Sequence, residues 1–308
     1  MSTSASLTLK QDSSRHAWFI TFLVVSSLVF HSELSALFRF SMVEDYASHI
    51  VLVPLIVAFL LFTERRRIFA VTRSGAAAGI ALIGIGVLLY WLGGRASSRL
   101  ATDYSLSLQS LAVVILWIGG FLFCYGIPAA RAATFSLLFL LLMVPLPVSF
   151  VDRIIYWLQA GSTELTYLIF QMVGTPVLRD GFFLTVPGVT IEVAKECSSI
   201  RSSIALFITC LLAAHMYLRS AWRQAFFVVL SLVVSIVKNG IRIATLTLLS
   251  IHVDRGFLTG KLHQQGGFVF FLIALGILFP VLMWLQKSER VAAFPVDVPS
   301  KLDPGLVR

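Results

Sequence analysis

Long uninterrupted apolar runs limit what this chain can fold into more than any other feature of its sequence. Several runs contain about twenty apolar residues, the length that an α-helix needs to cross the hydrocarbon core of a bilayer. The 308 residues are 58% hydrophobic and only 13% charged, which excludes an ordinary soluble domain. The sequence therefore predicts an all-α polytopic membrane protein.

The apolar runs predict about eight transmembrane helices. The predicted spans are 17–38, 48–63, 75–92, 105–125, 132–144, 199–218, 225–251 and 266–285. They divide the chain into a polar tail at 1–16, a transmembrane domain at 17–286 and a second polar tail at 287–308. Because Arg and Lys collect in cytoplasmic loops, the basic residues that follow every second span predict that both tails are cytoplasmic.

The stretch between the predicted fifth and sixth spans is less apolar than the spans themselves. Residues 151–173 are amphipathic and include Asp152, Arg153 and Glu164, so they are predicted to lie at the membrane interface or against other helices rather than to cross the lipid alone. Residues 177–193 then place β-branched and aromatic side chains around Asp-Gly and Pro-Gly pairs, which are turn signals. We expect a short extracytoplasmic β-hairpin here.

Charge and cysteine content exclude several classes of site. The net charge is +9, but the basic residues are scattered between apolar runs and form no continuous nucleic-acid surface. Cys124, Cys197 and Cys210 lie far apart, with no CxxC pair and no Cys/His metal spacing. The sequence therefore predicts no metal, no cofactor and no disulfide framework, and Cys124 and Cys210 are interpreted as packing residues.

Cys197 has a different setting, within the polar segment EVAKECSSIRSS that precedes an apolar run. A thiol at the first turn of a membrane helix lies near the positive end of the helix dipole. With cationic neighbours such as Lys195, this position lowers the pKa of the thiol and favours the thiolate. The adjacent Glu196 either orients a base or caps the helix. A free cysteine is more often an inert packing residue, so composition alone leaves both interpretations open.

Arg242 lies inside another apolar run, three residues after Asn239 and on the same helix face. A charge there is costly unless it is paired or lines a wet cavity, which favours a functional role. The alternative is that Arg242, or Lys238 before it, extends along the helix to the membrane surface. His263 begins the last span, on the predicted outer side with Cys197.

A thiolate, an imidazole and a guanidinium on one side of a membrane are the groups that acyl transfer needs. Two further residues compete for these roles. Arg201, four residues after Cys197, is the alternative cation, and His252 is the alternative imidazole.

Three motifs in this order, ECSSIRSS, NGIR and HQQGGFVFF, resemble the exosortase/archaeosortase family of membrane cysteine transpeptidases. Further matches are SHIVLVPLIVAFLLFTERR near the second span, MVPLP after the fifth, and GTPVLRDGFFLTVPGVTIEVAKEC before the cysteine. The resemblance covers residues 45–271. Ser199 stands where the family commonly has Gly in its CSGIR motif, which bears on subfamily and substrate choice more than on chemistry.

The resemblance implies a helical membrane bundle in the cytoplasmic membrane, with its active site on the extracytoplasmic side. It implies that exported proteins with a C-terminal sorting signal are recognised within the lipid and cleaved, and that the new carboxyl end is transferred to an unknown acceptor. In bacteria the signal carries a Pro-Glu-Pro motif, a hydrophobic helix and a basic tail. By motif, Cys197 would be the nucleophile, Arg242 the stabilising cation and His263 the acid/base.

Two other classes of function compete with this one. A transporter or assembly component for exopolysaccharide export would use the polar residues to line a pathway, and inverted repeats or interrupted helices at matching positions would support it. The sequence shows neither. A purely structural membrane scaffold leaves Arg242 unexplained.

Overall fold

The computed structural model describes residues 2–72, 75–96, 102–193, 200–254 and 261–293. Helices dominate this part of the chain, and three short strands interrupt them. The helices are α1 (Ser2–Val29), α2 (His31–Val43), α3 (Val53–Thr63), α4 (Arg65–Ile68), α5 (Ala76–Ala96), α6 (Thr102–Ala132), α7 (Thr134–Phe139), α8 (Val148–Met172), α9 (Ile200–Tyr217), α10 (Ala221–His252) and α11 (Lys261–Ala293). The strands are β1 (Leu178–Asp180), β2 (Phe183–Val186) and β3 (Val189–Glu192).

Within the described residues, six helical stretches are long and apolar enough to cross a membrane. They are Asp45–Thr63, Ala76–Arg95, Tyr104–Ala132, Ile200–Tyr217, Ala221–His252 and Gly267–Glu289. Two bent helix pairs pass the same test only when each pair is taken together, which raises the number to eight. The predicted all-α polytopic membrane fold is confirmed.

The first bent pair corrects the prediction of one straight span at 17–38. Helices α1 and α2 meet at Phe30 with a bend of 78°. Just after the bend, the Glu33 carboxylate accepts a hydrogen bond of 2.6 Å from the Tyr90 hydroxyl of α5. No proline or glycine lies at this bend, so the sequence gives no signal for it. Helix α1 also extends back to Ser2, into the predicted polar tail.

The second bent pair corrects the predicted fifth span at 132–144. The helical stretch Thr134–Met143 is only about 15 Å long at 1.5 Å per residue, which is half of a bilayer core. The chain then bends by 97° into α8, because Pro145 and Pro147 end the helix as predicted. A crossing at this place therefore needs α8 as well.

The chain divides into two compact units, Met1–Tyr156 and Trp157–Arg308. In the first unit, α5 and α6 pack backbone against backbone, as the Gly-rich third span predicts. A Cβ atom at Gly79 would lie 2.6 Å from Cα of Phe123, and one at Gly119 would lie 2.9 Å from the backbone nitrogen of Ile83. Both glycines are therefore needed for this close approach.

Replacing Gly79 by Ala is expected to destabilise the protein by about 1–3 kcal/mol, because the added methyl group overpacks a backbone contact that has no side chain to move aside. Gly84 is the matched control, since it lies in the same helix and a Cβ atom there would meet nothing within 4 Å. Thermal unfolding in detergent measures both variants. Equal unfolding midpoints for the Gly79→Ala and Gly84→Ala proteins would contradict the close packing of α5 and α6.

In the second unit, β1, β2 and β3 form an antiparallel sheet in that order. Two-residue turns join the strands, and each turn contains a glycine in the left-handed region, Gly181 at φ 57° and Gly188 at φ 87°. The predicted turns are confirmed, and the chain forms two consecutive hairpins where the sequence predicts one. The buried side chains of β2 and β3 pack against Phe170 of α8 and Ala244 of α10.

Helices α9, α10 and α11 form the apolar bundle of this unit. The Glu289 carboxylate of α11 accepts hydrogen bonds of 2.9 Å from the backbone N–H groups of Arg219 and Ser220, which connect α9 to α10. The end of α11 thus lies beside the end of α9, so α11 runs in the direction of α9 and opposite to α10. The first turn of α11 is therefore at the end of the bundle where α9 starts.

Candidate active site

Helix α10 carries a row of buried polar residues on the side that packs against α8 and α9. Ser235, Lys238, Asn239 and Arg242, which we call the polar stripe, are each at most 9% exposed. Their spacing of three or four residues puts them on one side of the helix. Neither Lys238 nor Arg242 reaches the protein surface, so the alternative in which they extend to the membrane surface is wrong.

One side of the polar stripe contacts α8. The Asn239 side-chain amide donates a hydrogen bond of 2.9 Å to the Ser162 hydroxyl, and the Thr166 hydroxyl donates one of 3.2 Å to the Gly240 carbonyl. A Cβ atom at Gly240 would lie 2.9 Å from a methyl carbon of Leu165. The glycine of the NGIR motif therefore allows α8 to approach α10 closely.

Helix α8 buries its small hydroxyl side chains, whereas its charged residues Asp152, Arg153 and Glu164 are exposed. Ser162, Thr163 and Thr166 are fully buried, whereas apolar residues such as Trp157 and Met172 are exposed. Helices α8 and α10 run parallel, because Gly161 lies beside Ile236 and Leu165 lies beside Gly240. Of the two arrangements predicted for residues 151–173, packing against another helix is confirmed, and a position at the membrane interface stays a prediction.

The other side of the polar stripe contacts the first turn of α9. The Ser235 hydroxyl donates a hydrogen bond of 2.6 Å to the Ser203 hydroxyl, and the Lys238 Nζ donates one of 2.6 Å to the Ser202 hydroxyl. The two helices are antiparallel here: Ser203 contacts Ser235, and the preceding residue, Ser202, contacts Lys238, which is closer to Arg242. Arg242 therefore lies at the level of the start of α9, where the chain enters from residues 194–199.

The end of β3 is held by α8. The Gln159 side-chain amide of α8 donates a hydrogen bond to the carbonyl of buried Val193. In β1, Arg179 forms an ion pair with Glu164 of α8. The segment 194–199 thus leaves from an anchored strand and enters an anchored helix.

The described structure covers the predicted site residues unequally. Cys197 and Glu196 lie outside the described residues. His263 is in the first turn of α11, at the end of the bundle where α9 starts, but its side chain is also outside them. Of the two alternatives, Arg201 is exposed in the first turn of α9 and His252 is exposed at the last residue of α10. Neither belongs to the polar stripe.

Sequence reasoning missed several residues of this region. It assigned no role to Ser162, Ser202, Ser203 or Ser235, and it offered only a surface position for Lys238. The signal that could have found the residues of α10 is their spacing of three and four within an apolar run. Where side chains are described, no group of three or more His, Cys, Asp or Glu residues is close enough to hold a metal ion.

A family model described as transmembrane exosortase matches residues 40–280 of the chain. No curated protein and no solved structure matches it. The matched region includes the end of the first bent helix pair, the whole of the second, the sheet, the polar stripe and most of α11. The chain therefore belongs to the transmembrane exosortase family, which supports a general role as a membrane transpeptidase in protein sorting.

Proposed function

We propose that this exosortase is a cysteine peptidase and transpeptidase that cleaves the C-terminal sorting signals of exported proteins. The signal would be of the Pro-Glu-Pro type, followed by a hydrophobic helix and a basic tail. Cleavage would proceed through a thioester on Cys197, and the exported protein would then pass to an acceptor. The observation that carries this proposal is the buried Arg242, in the polar stripe at the level of the first turn of α9, a helix that Cys197 precedes by three residues in the sequence.

The three motif residues have distinct roles in this mechanism. The Cys197 thiolate attacks the scissile carbonyl, and its sulfur–carbon bond forms as the carbonyl oxygen becomes an oxyanion. Arg242 stabilises that negative charge in a site of low dielectric constant. His263 donates a proton to the leaving amine as the peptide bond breaks. An acceptor nucleophile, or water, then attacks the thioester while His263 takes up its proton.

Three further residues support these groups. Asn239 connects the polar stripe to α8 through Ser162, so it holds α10 in place beside the site. Glu196, next to the nucleophile in the sequence, would either orient a base or cap the helix that follows. Arg201, exposed in the same first turn, adds positive charge to the entrance of the site without being part of the buried face.

The protein is proposed to lie in the cytoplasmic membrane with this site on the extracytoplasmic side. Arg219 and Arg223 lie at one end of the second unit, where α9 joins α10, and Lys287 lies near the end of α11 beside them. Basic residues favour the cytoplasmic side. The sheet, the first turn of α9 and the first turn of α11 are at the opposite end, where an exported substrate would arrive.

The contacts of the polar stripe argue against the competing function of a transporter for exopolysaccharide export. A transport pathway would be lined by polar groups that face a wet cavity. Ser235, Lys238 and Asn239 of α10 instead donate hydrogen bonds to α8 and α9 and are almost fully buried. They close the contact between helices rather than line a path.

The proposed function predicts that hydroxylamine captures the acyl intermediate. The purified protein in lipid nanodiscs would be mixed with a fusion protein that ends in the proposed signal, and mass spectrometry would identify the new carboxyl end. We expect a hydroxamate at this end, because hydroxylamine attacks a thioester faster than water does. A product with only a free carboxyl group at every hydroxylamine concentration would contradict the thioester, and an uncleaved fusion protein would contradict the substrate class.

A further inference from the structure

Strand β1 forms one edge of the antiparallel sheet, and one side of its backbone pairs with no described strand. Asp180 and Phe183 flank a two-residue turn, and Leu178 lies opposite Thr185. Both pairs exchange hydrogen bonds, because such a pair closes a two-residue turn and hydrogen-bonded pairs alternate along the ladder. Arg179 lies between them, so its N–H and C=O groups point away from β2. No described residue forms a hydrogen bond with these two backbone groups.

This open edge can accept one further strand. Unpaired backbone groups at the edge of a sheet are a template for another chain, and strand addition is a common mode of peptide recognition. All three residues of β1 are exposed, and Leu178 is 72% exposed. Only Arg179 directs its backbone groups outwards, so an added antiparallel segment forms one complete hydrogen-bonded pair with β1, opposite Arg179.

The geometry of that pair allows proline at the positions beside it. In an antiparallel segment, the residues before and after the paired one direct their backbone groups away from β1, and proline has no N–H to lose there. In a parallel segment, the Arg179 carbonyl would instead need the N–H of the residue after the opposed one, which proline cannot supply. The edge can therefore bind one ordinary residue between two prolines, in the antiparallel direction only.

The side chain of Arg179 indicates which residue type would lie opposite it. The guanidinium forms an ion pair with Glu164 of α8, lies 6.0 Å from the ring centroid of Tyr167 and donates a hydrogen bond of 3.2 Å from Nε to the Gly181 carbonyl. These contacts use two of its five N–H groups. Directly opposed residues have their side chains on the same face of a sheet, so a carboxylate there would reach the guanidinium.

We propose that the open edge of β1 binds an extended segment of the substrate as a fourth, antiparallel strand, with an acidic residue opposite Arg179. This inference rests on the proposed function, whose sorting signal contains such a segment in Pro-Glu-Pro. The glutamate supplies both backbone groups of the pair, and the prolines take the two positions that need no N–H. Glu164 lies between Ser162 and Thr166, which contact α10, so along α8 the acidic residue binds at the level of the polar stripe.

Three carboxylates of the protein bear on this binding. Glu164 already pairs with Arg179, and two carboxylates around one guanidinium repel each other, so Glu164 competes with the glutamate of the substrate. Asp180 is the next residue of β1, and its side chain is on the opposite face of the sheet. Glu192 is exposed on β3, two strands or roughly 10 Å away.

The test is disulfide cross-linking in lipid nanodiscs between the full-length Cys197→Ala protein and a complete sorting-signal peptide, in a glutathione redox buffer. Leu178→Cys places a thiol on β1, and the peptide carries cysteine in place of either proline. Antiparallel addition puts the second proline opposite Leu178, about 4.5 Å away between Cα atoms, which a disulfide can bridge. We expect at least about tenfold more cross-link at the second proline than at the first. Thr190→Cys, exposed on β3, is the matched control and should give little at either position.

The same cross-link measures the contribution of charge. Replacing the peptide glutamate by glutamine, or Arg179 by Gln, should lower its equilibrium yield by about two- to fivefold, the effect of an exposed ion pair. The two changes together should lower the yield no further than either one alone, a result that a purely structural role of Arg179 does not produce. Glu164→Gln should raise the yield by about twofold, and Glu192→Gln should leave it nearly unchanged.

Three results would overturn the proposal. Cross-linking that prefers the first proline would show a parallel strand, and equal cross-linking of Leu178→Cys and Thr190→Cys would show unspecific contact. A peptide that cross-links at neither position would show that β1 does not bind the segment. Cleavage of the same signal by the protein with Cys197 intact tests the proposed function separately, so the two failures are distinguishable.

Discussion

Replacing Cys197 by Ala or Ser is expected to lower the cleavage of a sorting-signal fusion protein by at least about 10³-fold, as loss of the nucleophile does in other enzymes that form acyl intermediates. Alanine has no nucleophile. A serine hydroxyl is not ionised near neutral pH, and a site arranged to stabilise a thiolate does not supply the strong base that serine needs. The measurement is the fraction of co-expressed fusion protein that is processed, at matched levels of each variant in the membrane.

Cys210→Ala is the control for this experiment. Cys210 is buried in the bundle of α9, α10 and α11, and its replacement should leave cleavage within about twofold while lowering stability by about 1–2 kcal/mol, the cost of a small cavity. Undiminished cleavage by the Cys197→Ala protein would show that another residue is the nucleophile. The chain would then share the exosortase fold and use different chemistry.

Replacing Arg242 by Met is expected to lower the rate constant for cleavage by about 10²–10³-fold, the loss seen when one oxyanion-stabilising group is removed. Arg242→Lys should lose less, because the charge remains while the planar guanidinium geometry is lost. Purified variants in nanodiscs would be compared at saturating substrate. The reason for the large effect is that Arg242 is buried, so its charge acts with little screening by water.

Ser231→Ala is the matched control for the Arg242 variants. Ser231 is also buried on α10, but its hydroxyl donates to the Val228 carbonyl of its own helix, about three turns away from Arg242. Its replacement should leave the rate near that of the unaltered protein. If Arg242→Met and Ser231→Ala had the same rate, Arg242 would have no part in the chemistry.

Hydropathy predicted the spans that are straight and continuous, and it failed where a helix bends without a local signal. Next to the break at Phe30, Glu33 accepts a hydrogen bond from Tyr90, a residue far away in the sequence. The break after Met143 was predicted from its prolines, but the continuation into α8 was not. A composition window measures how apolar a segment is, and it does not detect the tertiary contacts that redirect a helix.

The candidate site was predictable where a residue type is unusual for its surroundings. Arg242 stands out in an apolar run, and the structure shows it buried in the polar stripe. Ser162 and Ser202 do not stand out, because serine is common in membrane helices and its role depends on the partner across the contact. Lys238 was misinterpreted for a similar reason, since the direction of a long side chain is set by packing.

The buried hydroxyl groups of α8 have a consequence for how the protein is made. Ser162 hydrogen-bonds Asn239, which lies 77 residues later in the chain. At about 5–20 residues per second, a ribosome completes that partner roughly 4–15 s after Ser162. Until then the Ser162 hydroxyl has no partner on α10, and lipid offers none. Helix α8 therefore reaches its final position against α10 only after α10 is synthesised.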